Sequence, residues 1–203
     1  IWELFPPFAR YGFARSHAAC YALIAYQTAY LKSHWPAEFM AALMTAEGFD
    51  IERVGFLVEE ARNLGITVLP PSVSSSNVTF TVVSTREIRF GLGSVKNVGT
   101  NVVDAIIAAR ASGGPFNTLD NFIERVQHKD LNKKSLESLI KCGALDVLGE
   151  RGALVKNLDR ILEYTRDLQK SRAAGQASLF SNAGVAQDAS LRLEPVPPAE
   201  KKE

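Results

Sequence analysis

Val95-Lys96-Asn97-Val98-Gly99-Thr100, running on into Asn101 to Arg110, is the stretch on which the fold turns. A short helix, a tight turn ending in an apolar residue and glycine, and a second helix with Val102, Val103, Ile106 and Ile107 make a helix-hairpin-helix pattern. Its chemistry belongs to the backbone. Small residues at the turn let successive N–H groups point outward at a helix N-terminus, and the helix dipole adds positive potential, so the turn can cradle a phosphate. Lys96 and Arg110 can add charge. Asn97 stands where many such hairpins carry glycine, and asparagine enters the left-handed conformation more readily than other side chains. The same residues also fit a plain αα-turn whose glycine serves geometry alone.

A second unit follows. Gly113-Gly114-Pro115 stops the first, Leu119 to Val126 predicts a short helix, and a basic turn with Lys129, Asn132, Lys133 and Lys134 leads into a helix from Ser135 to Lys141. Asn132 is the expected cap. The lysines crowd the positive end of a helix dipole, a conflict that an arriving anion would relieve; a solvated basic turn is the other reading. From Glu150 to Ala173 the spacing of Leu154, Val155, Leu158, Ile161, Leu162, Thr165 and Leu168 predicts one longer helix. After Gly175 the periodicity stops, and the end from Pro195 reads as a disordered tail.

Upstream, Ser16 is the expected cap of a helix reaching about His34, with Cys20, Leu23, Ile24, Gln27 and Leu31 on one stripe and Tyr26 and Tyr30 beside it. Pro36 fits the first turn of a second helix, and Asp50 caps a third that ends at Gly65. Phe80 and Val82, then Ile88, Phe90 and Leu92, alternate with polar residues or glycine, which suggests one β-hairpin turning at Ser84 to Arg86. The predicted fold is mainly α: short helices, including tandem helix-hairpin-helix elements, with one small β-hairpin.

The 203 residues, 46% apolar and 22% charged, suit one large globular domain or two small ones. The net charge of +1 names no partner, but residues 80–174 hold 15 basic and 11 acidic side chains, which makes the centre the best place for a polyanion. The helix-periodic stretch free of Asp, Glu, Lys and Arg from Ser16 to Leu31 is 16 residues and carries His17 and Gln27, too short and polar to span a membrane. Cys20 and Cys142 lack CxxC spacing, which excludes a disulfide framework or zinc finger and favours a reducing compartment, hence the cytoplasm. The chain opens at Ile1 within structured-looking sequence and has no leader, so it reads as a piece of something longer.

Two further segments carry candidate contacts. Phe8 to His17 interleaves aromatics with Arg10 and Arg15 ahead of a helix, a composition suited to phosphate contact and base stacking, or else to a core edge with solvated arginines. His17 beside Ser16 lacks an orienting carboxylate and makes no hydrolase pair. Gln176-Ala177-Ser178-Leu179-Phe180 puts an amide ahead of two adjacent apolar anchors in a polar stretch, the pattern of a short docking peptide or of a tail pinned to its own domain. The sequence contains no HExxH, no Walker loop and no paired carboxylates at metal spacing.

Taken together, these stretches resemble the C-family bacterial replicative polymerases, the DNA polymerase III alpha subunits. The resemblance is carried by FARYGFARSHAACYALIAYQTAYLK at 8–32, PAEFMAALMT at 36–45, IRFGLGSVKNVG at 88–99, LNKKSLESLIKCGALDVLG at 131–149 and QASLF at 176–180, in order, over roughly residues 1–182. The family usually has Asn-Lys where this chain has Ala14-Arg15, so the charge is kept. The resemblance implies that residues 1–70 form the C-terminal part of the fingers domain, 71–174 a helix-hairpin-helix domain that binds DNA and the clamp, and 175–203 a clamp-binding peptide and disordered tail.

It further implies Arg15, with Arg10, His17 and Tyr21, as contacts to nucleotide or template. Lys96, Asn97, Val98, Gly99, Thr100, Lys129, Asn132, Lys133 and Lys134 would meet duplex DNA without reading its sequence. Gln176, Ser178, Leu179 and Phe180 would bind the sliding clamp. The remaining holoenzyme subunits become partners through the parent chain, and no membrane is involved. In the parent enzyme a primer 3′-hydroxyl attacks the α-phosphate of a deoxynucleoside triphosphate with Mg²⁺ on palm carboxylates. Those carboxylates would precede Ile1, so this piece is expected to be inactive alone, with no catalytic residue, metal site or cofactor of its own. A helix-hairpin-helix module of a repair protein, or a clamp-interaction adaptor, are the readings from other classes.

Overall fold

The computed structural model describes residues 14–173 and Leu193. Helix α1, Arg15–His34, begins from Ala14, whose side chain gives no cap, while Ser16, the expected cap, lies inside the first turn. None of its residues is buried, so both apolar stripes of α1 face solvent. Along one edge Tyr30 stacks on His34 at 4.0 Å between ring centroids and meets Trp35 at 5.9 Å. An ion pair from Lys32 to Glu60 ties α1 to the third helix.

Pro36 opens α2, Pro36–Ala46, as its fixed φ favours. The Asp50 carboxylate accepts the Arg53 N–H at 3.0 Å and starts α3, Ile51–Asn63, which Gly65 ends at φ 74°. The buried stripe of α3, Val54, Leu57 and Ala61, closes on Met40 and Met44 of α2 and on Ile88.

A three-stranded sheet lies beneath these helices, with β1 at Thr67–Leu69, β2 at Thr81–Ser84 and β3 at Glu87–Arg89, ordered β1-β3-β2. The predicted hairpin is the antiparallel β2–β3 pair, whose register slips between Val82 and Ser84. Strand β1 is additional, pairing parallel to β3 with Val68 opposite Ile88. The four residues between Gly65 and Pro70, three of them in β1, are too few to show a period, so alternation could not reveal β1. Because β1 precedes residue 70 and β3 follows it, one sheet bridges the two segments on either side of that position.

Beyond a 3₁₀ turn at Leu92–Ser94 lie α4 (Thr100–Gly113), α5 (Leu119–Arg125), α6 (Lys133–Lys141), α7 (Arg151–Lys156) and α8 (Leu158–Ala173). Phe122, Ile106, Leu136, Leu139, Ile140 and Leu145 are fully buried in a second core, and Phe90 packs against both cores. Leu193, from the aperiodic tail, lies half-buried against this second core.

The single helix expected over 150–173 is two. Asn157, buried between α7 and α8, leaves helical geometry at φ −94° and ψ 12°, and its amide Nδ2 donates to the Ala153 carbonyl at 2.9 Å. Leu154, Leu158, Ile161 and Leu162 stay on one buried face across the break, which is why spacing alone reads straight through it.

Candidate nucleic-acid interface

The hairpin turn is built from the 3₁₀ turn at Leu92–Ser94 rather than from a full first helix. Val95 and Val98 pack inward, and the Val98 N–H donates to the Val95 carbonyl at 3.2 Å, which curls the chain. Asn97 takes φ 65°, the single non-glycine residue at positive φ among those described. Its Nδ2 donates to Ser138 Oγ on α6 at 3.2 Å, so the side chain that replaces glycine also ties the turn to the next helical unit. Asn101 Nδ2 reaches Asp130 Oδ2 at 3.2 Å, a second tie between the two turns.

Gly99 caps α4 from extended backbone at φ −72° and ψ 153°, with no side-chain cap and no acidic residue in the first turn. The Val102 and Val103 amides both return to the Gly99 carbonyl. Among the described residues no hydrogen bond uses the amides of Gly99, Thr100 and Asn101. Lys96, Asn97, Gly99 and Thr100 are exposed around them, while Val98 is buried and shapes the turn from within. Three open N–H donors at the positive end of a 14-residue helix can receive an anion.

The second turn, before α6, is built to a different end. Asn132 accepts the amides of Lys134 at 3.0 Å and Ser135 at 3.1 Å, and Ser135 Oγ accepts the Asn132 amide at 2.9 Å, forming a reciprocal capping box. The donors expected to cradle a second phosphate are therefore engaged by the protein itself. Lys133, expected to need an arriving anion, has one already, because its Nζ lies 2.6 Å from Asp159 Oδ1. Lys129 and Lys134 remain exposed at its edge.

Arg110, read as added charge, turns instead into the protein. It donates to the carbonyls of Val73 at 3.3 Å and Ser76 at 2.8 Å and to Asn77 Oδ1 at 3.1 Å, and partial burial lowers its pKa. Arg125, which the sequence reading passed over, binds the Ala109 and Gly114 carbonyls and stacks 4.6 Å above the Phe116 ring. Such carbonyl partners leave no periodic trace, so neither role had a signal in the chain.

On the other segment, Arg15 is the first residue of α1 and is exposed, with His17 against Tyr21 at 4.3 Å. This cluster lies apart from the hairpin turn in the sequence, on a helix without buried residues. Arg10, Gln176, Ser178, Leu179 and Phe180 lie outside the described residues. Both cysteines are free, and burial raises the pKa of the Cys142 thiol. No described helix is long and apolar enough to cross a membrane.

A family model described as "Helix-hairpin-helix motif" matches residues 65–154, a span that takes in β1 and both turns. The chain is 45% identical over 181 residues to a DNA polymerase III subunit alpha from Thermus aquaticus, 89% of this chain and 15% of that protein. Its identity to the Vibrio cholerae subunit is 44% over 195 residues, 96% of this chain and 17% of the relative. To the Escherichia coli K12 subunit it is 45% over 181 residues, 89% of this chain and 16% of the relative. The chain thus spans about one sixth of the length of the relatives it matches. The resemblance read from the sequence is borne out over nine tenths of the chain, and the helix-hairpin-helix assignment with it.

Proposed function

We propose that this chain, similar over nine tenths of its length to one segment of DNA polymerase III alpha subunits, grips DNA for a template-directed DNA polymerase. The observation that carries this reading is the set of open amides at Gly99, Thr100 and Asn101, beside Lys96, in a segment matched by the helix-hairpin-helix model. Backbone donors meet phosphates and carry no base information, so binding is indifferent to sequence. With one turn open and the second closed by its cap, about one to three phosphates are contacted, giving a slope of log K against log salt of roughly −1 to −3. Titrating labelled duplexes of unrelated sequence at several salt concentrations tests this. Lys96→Ala should weaken every duplex alike and flatten the slope by about one; a strong sequence preference would sink the reading.

The match runs across α1 to α3 as well as the hairpin segment, which supports a polymerase over an isolated repair module or a clamp adaptor. In the parent polymerase, Arg15, with Arg10, His17 and Tyr21, contacts incoming nucleotide or template. Arg15→Ala should raise the nucleotide KM or lower kcat in primer extension, and unchanged kinetics would make Arg15 a solvated surface residue. Gln176, Ser178, Leu179 and Phe180 attach the sliding clamp. Leu179→Ala with Phe180→Ala should remove clamp-stimulated synthesis and spare synthesis on short primed templates.

The holoenzyme partners reach this chain through the parent protein, which works in the cytoplasm. The parent reaction requires Mg²⁺, yet no group of three His, Cys, Asp or Glu among the described residues could hold a metal ion. The part proposed for the described residues is grip on DNA.

A further inference from the structure

We propose that the groove facing the hairpin turn takes a single unpaired DNA strand, with Phe49 as the residue on which a base stacks. This rests on the reading of Lys96 to Thr100 as a DNA-binding turn. The groove measures about 780 Å³, walled on one side by Gly93 to Thr100 and on the other by Gly48 to Glu52. Its walls are held close, because a Cβ on Gly48 would sit 2.5 Å from Ser94 Oγ and 3.3 Å from the Met44 and Thr45 carbonyls.

Phe49 stands next to that contact and is 96% exposed, more than any other large hydrophobic side chain described. Among the described residues it joins neither core. The helix before it ends at Ala46, and the cap of the next is made by Asp50. An aromatic ring left free opposite unpaired backbone donors is one half of a strand-binding surface, the phosphate-facing turn being the other.

Charge decides which form of DNA fits. The Phe49 wall also carries Asp50 and Glu52, both exposed. Their carboxylates repel a second phosphate backbone, so a duplex with both backbones in the groove is disfavoured. A lone strand can lay its phosphates on the hairpin wall and turn a base to Phe49, away from the carboxylates.

Anisotropy titration of the full chain with a blunt duplex, and with the same duplex bearing a single-stranded extension, tests the assignment. The extension should tighten binding. Phe49→Ala should weaken tailed DNA by about 5- to 150-fold, the range for one base on one aromatic ring, with the salt slope unchanged. Phe49→Tyr should retain the gain. Since Phe49 is exposed, neither change should alter the denaturation midpoint. An equal loss on blunt duplex, or no loss on tailed DNA while Lys96→Ala still weakens both, overturns the strand assignment and leaves the hairpin standing. Absence of any Lys96-sensitive DNA binding overturns both.

Discussion

Asn97 does two things that glycine could not do together: it holds φ at 65° and reaches Ser138 on α6. Asn97→Gly should therefore relieve the backbone and lose the tie, leaving stability within about 1 kcal/mol. Asn97→Val keeps neither benefit and places a β-branched residue at positive φ, so a loss of about 2 kcal/mol is expected in urea denaturation. Glycines 91 and 99 separate fold from function. A Cβ at Gly91 would lie 2.6 Å from the backbone of Thr79 and Val78, whereas one at Gly99 meets nothing within 4 Å, at a φ of −72° that any residue adopts. Gly91→Ala should destabilise by about 1–3 kcal/mol. Gly99→Ala should cost at most about 1 kcal/mol, the difference between glycine and alanine at an N-cap, and weaken DNA binding more than that, because there the missing side chain leaves room for a ligand. The left-handed preference of Asn97 was legible in the sequence. The inward turn of Arg110 was not, since its partners Val73 and Ser76 lie 37 and 34 residues away.

At the scale of elements, caps decide which helix ends remain available. Asn132→Ala should cost about 1 kcal/mol and release the amides of Lys134 and Ser135, so DNA affinity should rise slightly as stability falls. The cap of α7 responds to acid. Glu150 accepts the Gly152 amide at 2.9 Å and the Ala153 amide at 2.6 Å, and these bonds hold its carboxyl below the ordinary glutamate range. A folded-state pKa below the unfolded one gives stability that is present above the ordinary range and lost as pH falls through the folded value. Carboxyl NMR titration should show that low midpoint, and Glu150→Gln should shallow the acid limb of the stability curve. The helices from α2 onward were legible because their burial is one-sided and periodic. The break at Asn157 was hidden because Leu154 and Leu158 keep the same face across it. The capping box was half legible: Asn132 was readable as a cap, but closure needed Ser135, whose answering Oγ bond depends on the turn's geometry.

At the scale of the molecule, α1 is the exception to one-sided burial. Tyr21, Leu23, Ile24, Tyr26, Tyr30 and Leu31 are each between 44% and 68% exposed on a single helix. In water such a surface associates, so the chain alone should show concentration-dependent sedimentation that Leu23→Lys with Ile24→Lys abolishes. The stripes themselves were legible, but spacing records only that residues share a face and never what covers it. The sheet has a consequence of its own. β3 is its middle strand, and β1 pairs with it although the chain passes first through Pro70 to Phe80, a connection to β2 that contributes no ladder residue to the sheet. Cutting that connection would leave a front half with a lone strand and a back half with an open edge waiting for it, each also missing half of the packing around Phe80, Ile88 and Phe90. Co-expressed halves divided near Ser75 should therefore find one another and reassemble as a split-protein pair, with β1 docking as the third strand.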